Sequence, residues 1–150
     1  VWLDGGMRDD HTDGHIDTIV RFCDDRTIVC LVEEDEDDVD HPALANNLHA
    51  LQNLRDGEGR PYEVLPLPAP RRKRDLGGRR LPQTYANFYI GNGFVVVPTY
   101  GDENDEVALD LLRERFPGRE VLGLSAQAMI TGGGAFHCVT QQQPAAKEEE

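Results

Sequence analysis

The chain has 150 residues and a formal net charge of −13, which arises from 28 acidic and 15 basic side chains. This length suits one compact domain with a substantial hydrophobic core. The acidic balance argues against nucleic acid as the main partner, because binding phosphates requires a basic face. The sequence shows no apolar run of membrane-spanning length and no signal peptide at its start, so we expect no membrane partner.

Three cysteines are present, Cys23, Cys30 and Cys138. An odd, small number at wide spacing does not form a disulfide framework and favours a reducing, cytoplasmic location. Cys23 and Cys30 lie in apolar runs and are predicted to be core residues. The sequence has no CxxC pair, and we expect neither a metal nor another cofactor.

Apolar patterning predicts the elements of the first half of the chain. β-branched and apolar residues predict strands, and leucines at helical spacing predict a helix that Pro42 opens. In chain order, the elements are a loop or strand end over residues 1–14, strands over 16–22 and 27–32, a solvated acidic loop over 33–40, the helix, and a strand over 62–67. A turn signal at Asp24-Asp25 joins the first two strands into a hairpin.

The second half repeats this order. In chain order, it comprises an exposed basic loop over residues 68–80, strands over 85–90 and 94–97, a helix capped by Asp102, a strand over 121–124, a short helical turn over 125–130, and a strand over 135–141. The repeated units run roughly over 15–67 and 85–124, and an incomplete third unit covers 135–150. Internal repetition of this kind implies units stacked around an axis, with their first strands lining the centre.

Two stretches carry candidate chemistry. Three consecutive glycines at 132–134 let the backbone turn tightly and approach a ligand, and Cys138 follows them as a candidate nucleophile. A cysteine alone is a weak signal, because free cysteines are usually buried. A nucleophilic cysteine also needs a histidine partner, and His15 stands between acids near the start of the chain. On a strand, His15 and Asp17 would share one face.

Three ordered motifs resemble the agmatine deiminase and bacterial peptidylarginine deiminase family of the guanidine-modifying (pentein) superfamily. The matching residues are Asp10-x-Thr12-x-Gly14-His15-Ile16-Asp17, Tyr85-Ala86-Asn87-Phe88-Tyr89-Ile90, and Gly132 through Gln143 with His137-Cys138-x-Thr140-Gln141-Gln142. The resemblance covers nearly the whole chain. It implies an α/β propeller of five ββαβ units, of which about two and a half can be placed here. Residues 1–150 would then be the C-terminal part of a single catalytic domain.

The resemblance also implies a reaction and its residues. Cys138 would attack the guanidinium carbon of agmatine, and His15 would protonate the departing ammonia and then activate water. Asp17 would hold two guanidinium N–H groups in a fork. The product would be N-carbamoylputrescine, in polyamine (putrescine) biosynthesis. The implied partner is a small cationic guanidine substrate, and a homo-oligomer is compatible with the family.

Supporting roles follow for other motif residues. Asp10 is the acid best placed to position His15, and Gly133 and Gly134 would let backbone approach the site. Asn87 either supports the site from the neighbouring unit or is purely structural. His137 precedes Cys138 on a predicted strand, so it is expected to point away from the site.

Other functions remain open at this level. Within the family, the alternative is a peptidylarginine deiminase. From a different class, the alternative is a non-catalytic acidic module that binds amines, and a cysteine peptidase is a weaker third because no peptidase signature surrounds Cys138. In the family a second substrate carboxylate and a further acid come from N-terminal units that nothing here matches. We therefore expect this chain by itself to have little or no activity.

Overall fold

The computed structural model describes residues 1–3 and 5–144, which adopt an α/β fold containing two three-stranded sheets. The first sheet comprises β1 (Val20–Phe22), β2 (Thr27–Val32) and β3 (Glu63–Pro68), and helix α1 (His41–Gln52) connects β2 to β3. β1 pairs antiparallel with β2, and β2 pairs parallel with β3. A parallel pair needs a crossover connection, which α1 provides.

A small hairpin of β4 (Asp75–Leu76) and β5 (Arg79–Arg80) separates the two sheets along the chain. The second sheet comprises β6 (Tyr89–Ile90), β7 (Phe94–Thr99) and β8 (Glu120–Ser125), with helix α2 (Asp105–Arg115) between β7 and β8. Its strands pair in the same way as those of the first sheet. The order strand, strand, helix, strand predicted for each half is therefore found in the structure.

Strand β2 contributes to the hydrophobic cores of both halves. Its residues alternate between the two faces of the sheet, because successive side chains of a strand point to opposite sides. Ile28 and Cys30 join the core that includes Leu44 of α1, whereas Val29 packs into the larger core around α2 and the second sheet. Burial on both faces explains why the sequence of β2 is apolar almost throughout.

The two helices begin in different ways. Pro42 lies in the first turn of α1, where its missing N–H is not needed. Helix α2 begins at Asp105 with Asn104 at the N-cap, rather than at the predicted cap Asp102. The Asp102 carboxylate instead accepts hydrogen bonds from the backbone N–H groups of Arg71 and Asn104, each at 3.0 Å. Within the described residues, no helix combines the length and apolar character needed to cross a bilayer.

Three predicted strands are shorter than expected or absent. Ile16–Thr18 forms a 3-10 turn, so the first strand begins only at β1. The strand predicted over 85–90 is limited to β6, and the one predicted over 135–141 is replaced by a 3-10 turn at His137–Val139. In these last two segments, backbone N–H groups donate to side chains instead of to a neighbouring strand. Such local bonds compete with strand pairing, and apolar patterning does not detect them.

The acidic segment after β2 is partly buried, contrary to the prediction of a solvated loop. The side chains of Glu33, Asp38 and Asp40 are only 8%, 13% and 7% exposed. Glu33 pairs with Lys73, and both aspartates pair with Arg80 of the basic segment that was predicted as an exposed loop. The two oppositely charged segments neutralise each other in the tertiary structure, so neither is a simple solvated run.

Candidate active site

Three segments that are distant in sequence meet at one point. Asp17 comes from the 3-10 turn Ile16–Thr18, Asn87 from the segment before β6, and Cys138 from the 3-10 turn His137–Val139. Asn87 Nδ2 lies 2.9 Å from Asp17 Oδ2 and 3.1 Å from Cys138 Sγ. The structure thus brings together three of the residues that the sequence motifs singled out.

The Cys138 thiol is exposed and lies beside an anion. Its Sγ is 3.4 Å from Asp17 Oδ2 and receives a hydrogen bond from Asn87 Nδ2. Partial burial of the thiol, together with the charge of Asp17, raises the pKa of Cys138, and the Asn87 hydrogen bond offsets only part of this. The protonated thiol therefore dominates at neutral pH, in a position that a small molecule can reach.

The Asp17 carboxylate uses one oxygen to hold the site together. Its Oδ2 lies 2.6 Å from His137 Nδ1, and it also accepts from Asn87 Nδ2 and from the Cys138 thiol. Burial alone would raise the pKa of Asp17, but the hydrogen bonds from His137, Cys138 and Asn87 outweigh it and lower the pKa. Asp17 is therefore ionised at neutral pH. Within the described part of the chain, Oδ1 has no hydrogen-bond partner.

Two glycines beside Cys138 are required for steric reasons. Gly133 has a φ of +92°, and a Cβ added there would lie 1.6 Å from Cε1 of the His11 ring. A Cβ on Gly134 would lie 2.7 Å from both Cβ and Sγ of Cys138. A side chain at either position would displace the thiol or the ring packed against this turn. At Gly132 an added Cβ meets nothing within 4 Å, so only the later two glycines are sterically required.

The loop that carries His15 is braced by Asp10. The Asp10 carboxylate accepts hydrogen bonds from the backbone N–H and the hydroxyl of Thr12, at 3.0 and 2.7 Å. The Thr12 hydroxyl in turn accepts a bond from the His15 backbone N–H at 3.3 Å. The His15 side chain is exposed. Within residues 1–3 and 5–144, the hydrogen bonds of His15 are made only by its backbone N–H and carbonyl. The prediction that His15 and Asp17 share one face of a strand is wrong, because a 3-10 turn begins directly after His15.

The imidazole that contacts Asp17 is that of His137. Sequence patterning placed His137 on a strand and directed it away from the site, and this prediction is wrong. In a 3-10 turn, His137 and Cys138 are not forced to opposite faces, and both side chains reach Asp17 Oδ2. The triple glycine just before this pair could have indicated a turn rather than a strand.

Sequence reasoning also missed Arg21 and His11. Arg21 Nη1 donates to the backbone carbonyls of Phe88 at 2.7 Å and Ala86 at 3.4 Å, and its guanidinium lies 4.6 Å from the centre of the Phe88 ring. These contacts hold the backbone on both sides of Asn87. His11 packs against Gly133 and thereby places its loop on the glycine turn. An arginine inside the first predicted strand was a signal for the first of these roles.

The described residues contain no group of three or more His, Cys, Asp or Glu side chains that could hold a metal ion. His11 and His15 are four residues apart, a spacing that brings two ligands together on a helix. Here they lie in a loop, where this spacing does not bring the two rings onto one face. The arrangement of an exposed Cys138 thiol beside the Asp17 carboxylate and the Asn87 amide is suited to nucleophilic chemistry on a cation.

Comparison with known proteins assigns this chain to a family. The model of the Porphyromonas-type peptidyl-arginine deiminase family matches residues 1–144. The chain belongs to this family. The resemblance indicated by the three sequence motifs is thereby confirmed.

Deiminase-family relatives match nearly all of this chain. A Legionella pneumophila (strain Paris) protein named "Putative agmatine deiminase" is 38% identical over 145 residues, which cover 96% of this chain and 42% of that relative. A Porphyromonas gingivalis structure described as "Putative Arginine Deiminase" has 46% identity and a TM-score of 0.89, over 93% of this chain and 41% of that one. A Cys-to-Ser variant of the C. jejuni agmatine deiminase with substrate bound has 35% identity and a TM-score of 0.82, over 91% and 39%. The chain thus spans about two fifths of the length of these family members.

Proposed function

We propose that this chain forms part of a hydrolytic deiminase site that converts the guanidinium of agmatine to a urea, giving N-carbamoylputrescine and ammonia. The observation that carries the proposal is the Cys138 sulfur 3.4 Å from the ionised Asp17 carboxylate. A nucleophile beside an anion suits a planar cationic electrophile, because carboxylate and guanidinium match in charge and geometry. The names of the Legionella and C. jejuni relatives point to the same substrate.

Substrate binding begins at Asp17. Because Oδ2 already accepts from His137, Asn87 and Cys138, the guanidinium donates mainly to Oδ1. A bidentate fork on this carboxylate would need Oδ2 to be shared with those donors. The orientation of the substrate then follows from one strong charge-assisted bond and from the position of the sulfur.

Binding of the cation also ionises the nucleophile. In the free site, Asp17 and partial burial keep the pKa of the Cys138 thiol raised. A guanidinium placed next to the sulfur neutralises the effect of the carboxylate and favours the thiolate. The nucleophile is therefore generated when the correct charge is present, and the free protein keeps its thiol protonated.

The reaction proceeds in two balanced halves. The thiolate forms an S–C bond with the guanidinium carbon, and the C–N bond to one terminal nitrogen breaks as that nitrogen takes up a proton and leaves as ammonia. Water then adds to the thiouronium carbon, the C–S bond breaks, and the urea and the free thiol are released. We assign the proton transfers to His15. Support comes from His11 of the same loop, whose ring packs against Gly133 beside the nucleophile turn.

The test is a single-turnover experiment with protein and agmatine at comparable concentrations. We expect N-carbamoylputrescine and ammonia, or a Cys138 adduct whose mass equals that of agmatine less ammonia. Cys138→Ser abolishes both signals, whereas Cys23→Ser, which alters a half-buried thiol outside the site, retains them. If the unaltered protein gives no product and no adduct, the proposal is wrong.

Turnover by this chain is expected to be low. The family resemblance assigns a second substrate carboxylate and a further acid to a part of the fold that nothing in this sequence matches. One carboxylate holds a guanidinium less firmly than two, so we propose that multiple-turnover ammonia release is slow. Rapid, sustained release by the 150-residue protein would contradict this.

A peptidylarginine deiminase is the second candidate, and the description of the matching family favours it. Rates on agmatine and on an arginine blocked at both ends distinguish the two. The candidate from another class, an acidic amine-binding module, predicts that Cys138→Ser leaves agmatine binding and all other behaviour unchanged.

We further propose that the two strand–strand–helix–strand halves are units of a five-unit α/β propeller whose centre contains the site. Support comes from the identical pairing in both sheets and from the meeting of Asp17, Asn87 and Cys138. A cytoplasmic location is proposed on the basis of the three free cysteines.

A further inference from the structure

The Asn87 side chain has all of its hydrogen-bonding capacity engaged at the site. A primary amide offers two N–H donors and a carbonyl oxygen that can accept twice. The Asn87 nitrogen donates to Asp17 Oδ2 at 2.9 Å and to Cys138 Sγ at 3.1 Å. The oxygen accepts from the backbone N–H groups of Ala135 at 3.0 Å and Cys138 at 3.3 Å. Asn87 is only 1% exposed, so these bonds form away from bulk water.

The orientation of this amide is determined by its surroundings. Backbone N–H groups can only donate, so the side-chain atom that faces Ala135 and Cys138 must be the oxygen. The NH2 group is then directed at the sulfur and the carboxylate. A flipped amide would set N–H against N–H on one side and oxygen against carboxylate on the other.

We propose that Asn87 is a further catalytic residue, whose amide N–H stabilises the Cys138 thiolate while its carbonyl oxygen holds the nucleophile turn in place. The proposal rests on the proposed function in one respect, namely that Cys138 is the nucleophile. A thiolate 3.4 Å from the Asp17 carboxylate is repelled by it, and an N–H donor aimed at the sulfur opposes that repulsion.

The surrounding structure keeps this donor in position. Arg21 Nη1 donates to the carbonyls of Phe88 and, more weakly, Ala86, which flank Asn87 in the chain. The backbone carbonyl of Asn87 accepts a hydrogen bond from the His137 backbone N–H at 3.2 Å. The amide is thus fixed before substrate arrives, which is what a preorganised electrostatic stabiliser requires.

The test measures the ionisation of the Cys138 thiol directly and does not depend on catalytic turnover. The full chain is alkylated with iodoacetamide across a range of pH, and mass spectrometry separates Cys138 from the other two cysteines. Asn87→Leu, which is close in size, and Asn87→Ala both remove the donor to the sulfur and the acceptor for the two backbone N–H groups, and neither adds a charge beside the thiol. The matched control is Asn92→Ala, which removes an exposed amide in the turn between β6 and β7.

We expect the midpoint of the Cys138 alkylation profile to rise by about one to two pH units in both Asn87 variants, the size of one hydrogen bond to a charged group. The Asn92 control should leave it unchanged. If Asn87→Ala does not fold by circular dichroism, Asn87→Leu decides the question alone. A midpoint that stays constant in the folded Asn87 variant, with only the limiting rate changed, would show a purely structural role. Because the thiol is titrated without agmatine, this outcome is independent of whether deiminase chemistry is found.

Discussion

Replacing Asp17 by Asn should change the reactivity of Cys138 in two opposite directions. The substitution keeps the size of the side chain and an oxygen for His137 and Asn87, but it removes the negative charge. Unit charges 3.4 Å apart interact by about 1 kcal/mol at the dielectric constant of water and about 5 kcal/mol at an effective value of 20. Because Cys138 is exposed, screening favours the lower figure.

The assay compares two alkylating agents of the same shape, neutral chloroacetamide and the planar cation chloroacetamidine. Loss of about 1 kcal/mol of repulsion raises the thiolate fraction at pH 7, so the neutral reagent should react about fivefold faster with Asp17→Asn. The cation loses its charge-assisted partner, so its rate relative to the neutral reagent should fall about tenfold. The matched control is Asp13→Asn, which removes an exposed acid from the preceding loop.

The result that would refute this reasoning is a rate ratio of cationic to neutral reagent that is unchanged in Asp17→Asn. That outcome would mean that the carboxylate does not sense a cation at the sulfur. Circular dichroism of Asp17→Asn shows whether the variant is folded. An unchanged rate ratio in the folded variant would remove the main support for a guanidinium substrate.

Three further predictions concern stability, measured by urea unfolding. Folding lowers the pKa of Asp17, so the ionised carboxylate stabilises the folded protein at pH values above its unfolded pKa of about 3.9. This stabilisation is lost as the pH falls through the folded pKa. The free energy of unfolding should therefore differ less between pH 7 and pH 3 in Asp17→Asn than in the unaltered protein. Asp38 and Asp40 pair with the same arginine, but their pKa values shift in opposite directions. The Asp38 pKa is lowered despite partial burial, so Asp38→Asn should lower the free energy of unfolding by about 1–3 kcal/mol at pH 7. Burial raises the Asp40 pKa, so Asp40→Asn should leave the free energy of unfolding unchanged or increase it. Equal losses from the two would contradict this. Gly133→Ala should lose about 1–3 kcal/mol, and less in a His11→Ala background, where only the backbone strain at positive φ remains. Additive losses would show that the ring contact contributes nothing.

Several elements could be predicted because local sequence dictates them. Every residue of β2 is apolar or β-branched, and the strand is buried on both faces. Pro42 marks the first turn of α1, as expected of a residue that needs no N–H donor there. The three motifs were also sufficient to indicate the family. These features depend on periodicity or on residue type at fixed spacing, which sequence displays directly.

The acidic and basic segments show where such reasoning stops. Each looks like a solvated run, yet Asp38, Asp40 and Arg80 are nearly buried together. Long-range pairing of charges has no local signature, so composition assigned both segments to solvent. Arg21 stands out locally as an arginine inside a predicted strand, but its partners lie more than sixty residues away in the chain and could not be identified from the sequence.

By itself, the sequence determined the α/β class, the order of strands and helices in each half, the family, and the choice of Cys138, Asp17 and Asn87 as residues of interest. Only the tertiary structure decided that His137 contacts Asp17, that the His15 side chain stays exposed, and that one amide joins the nucleophile to the carboxylate. The physical reason is that periodicity reports which residues face a core. The direction of a side chain in a turn depends instead on hydrogen bonds to segments that are distant along the chain.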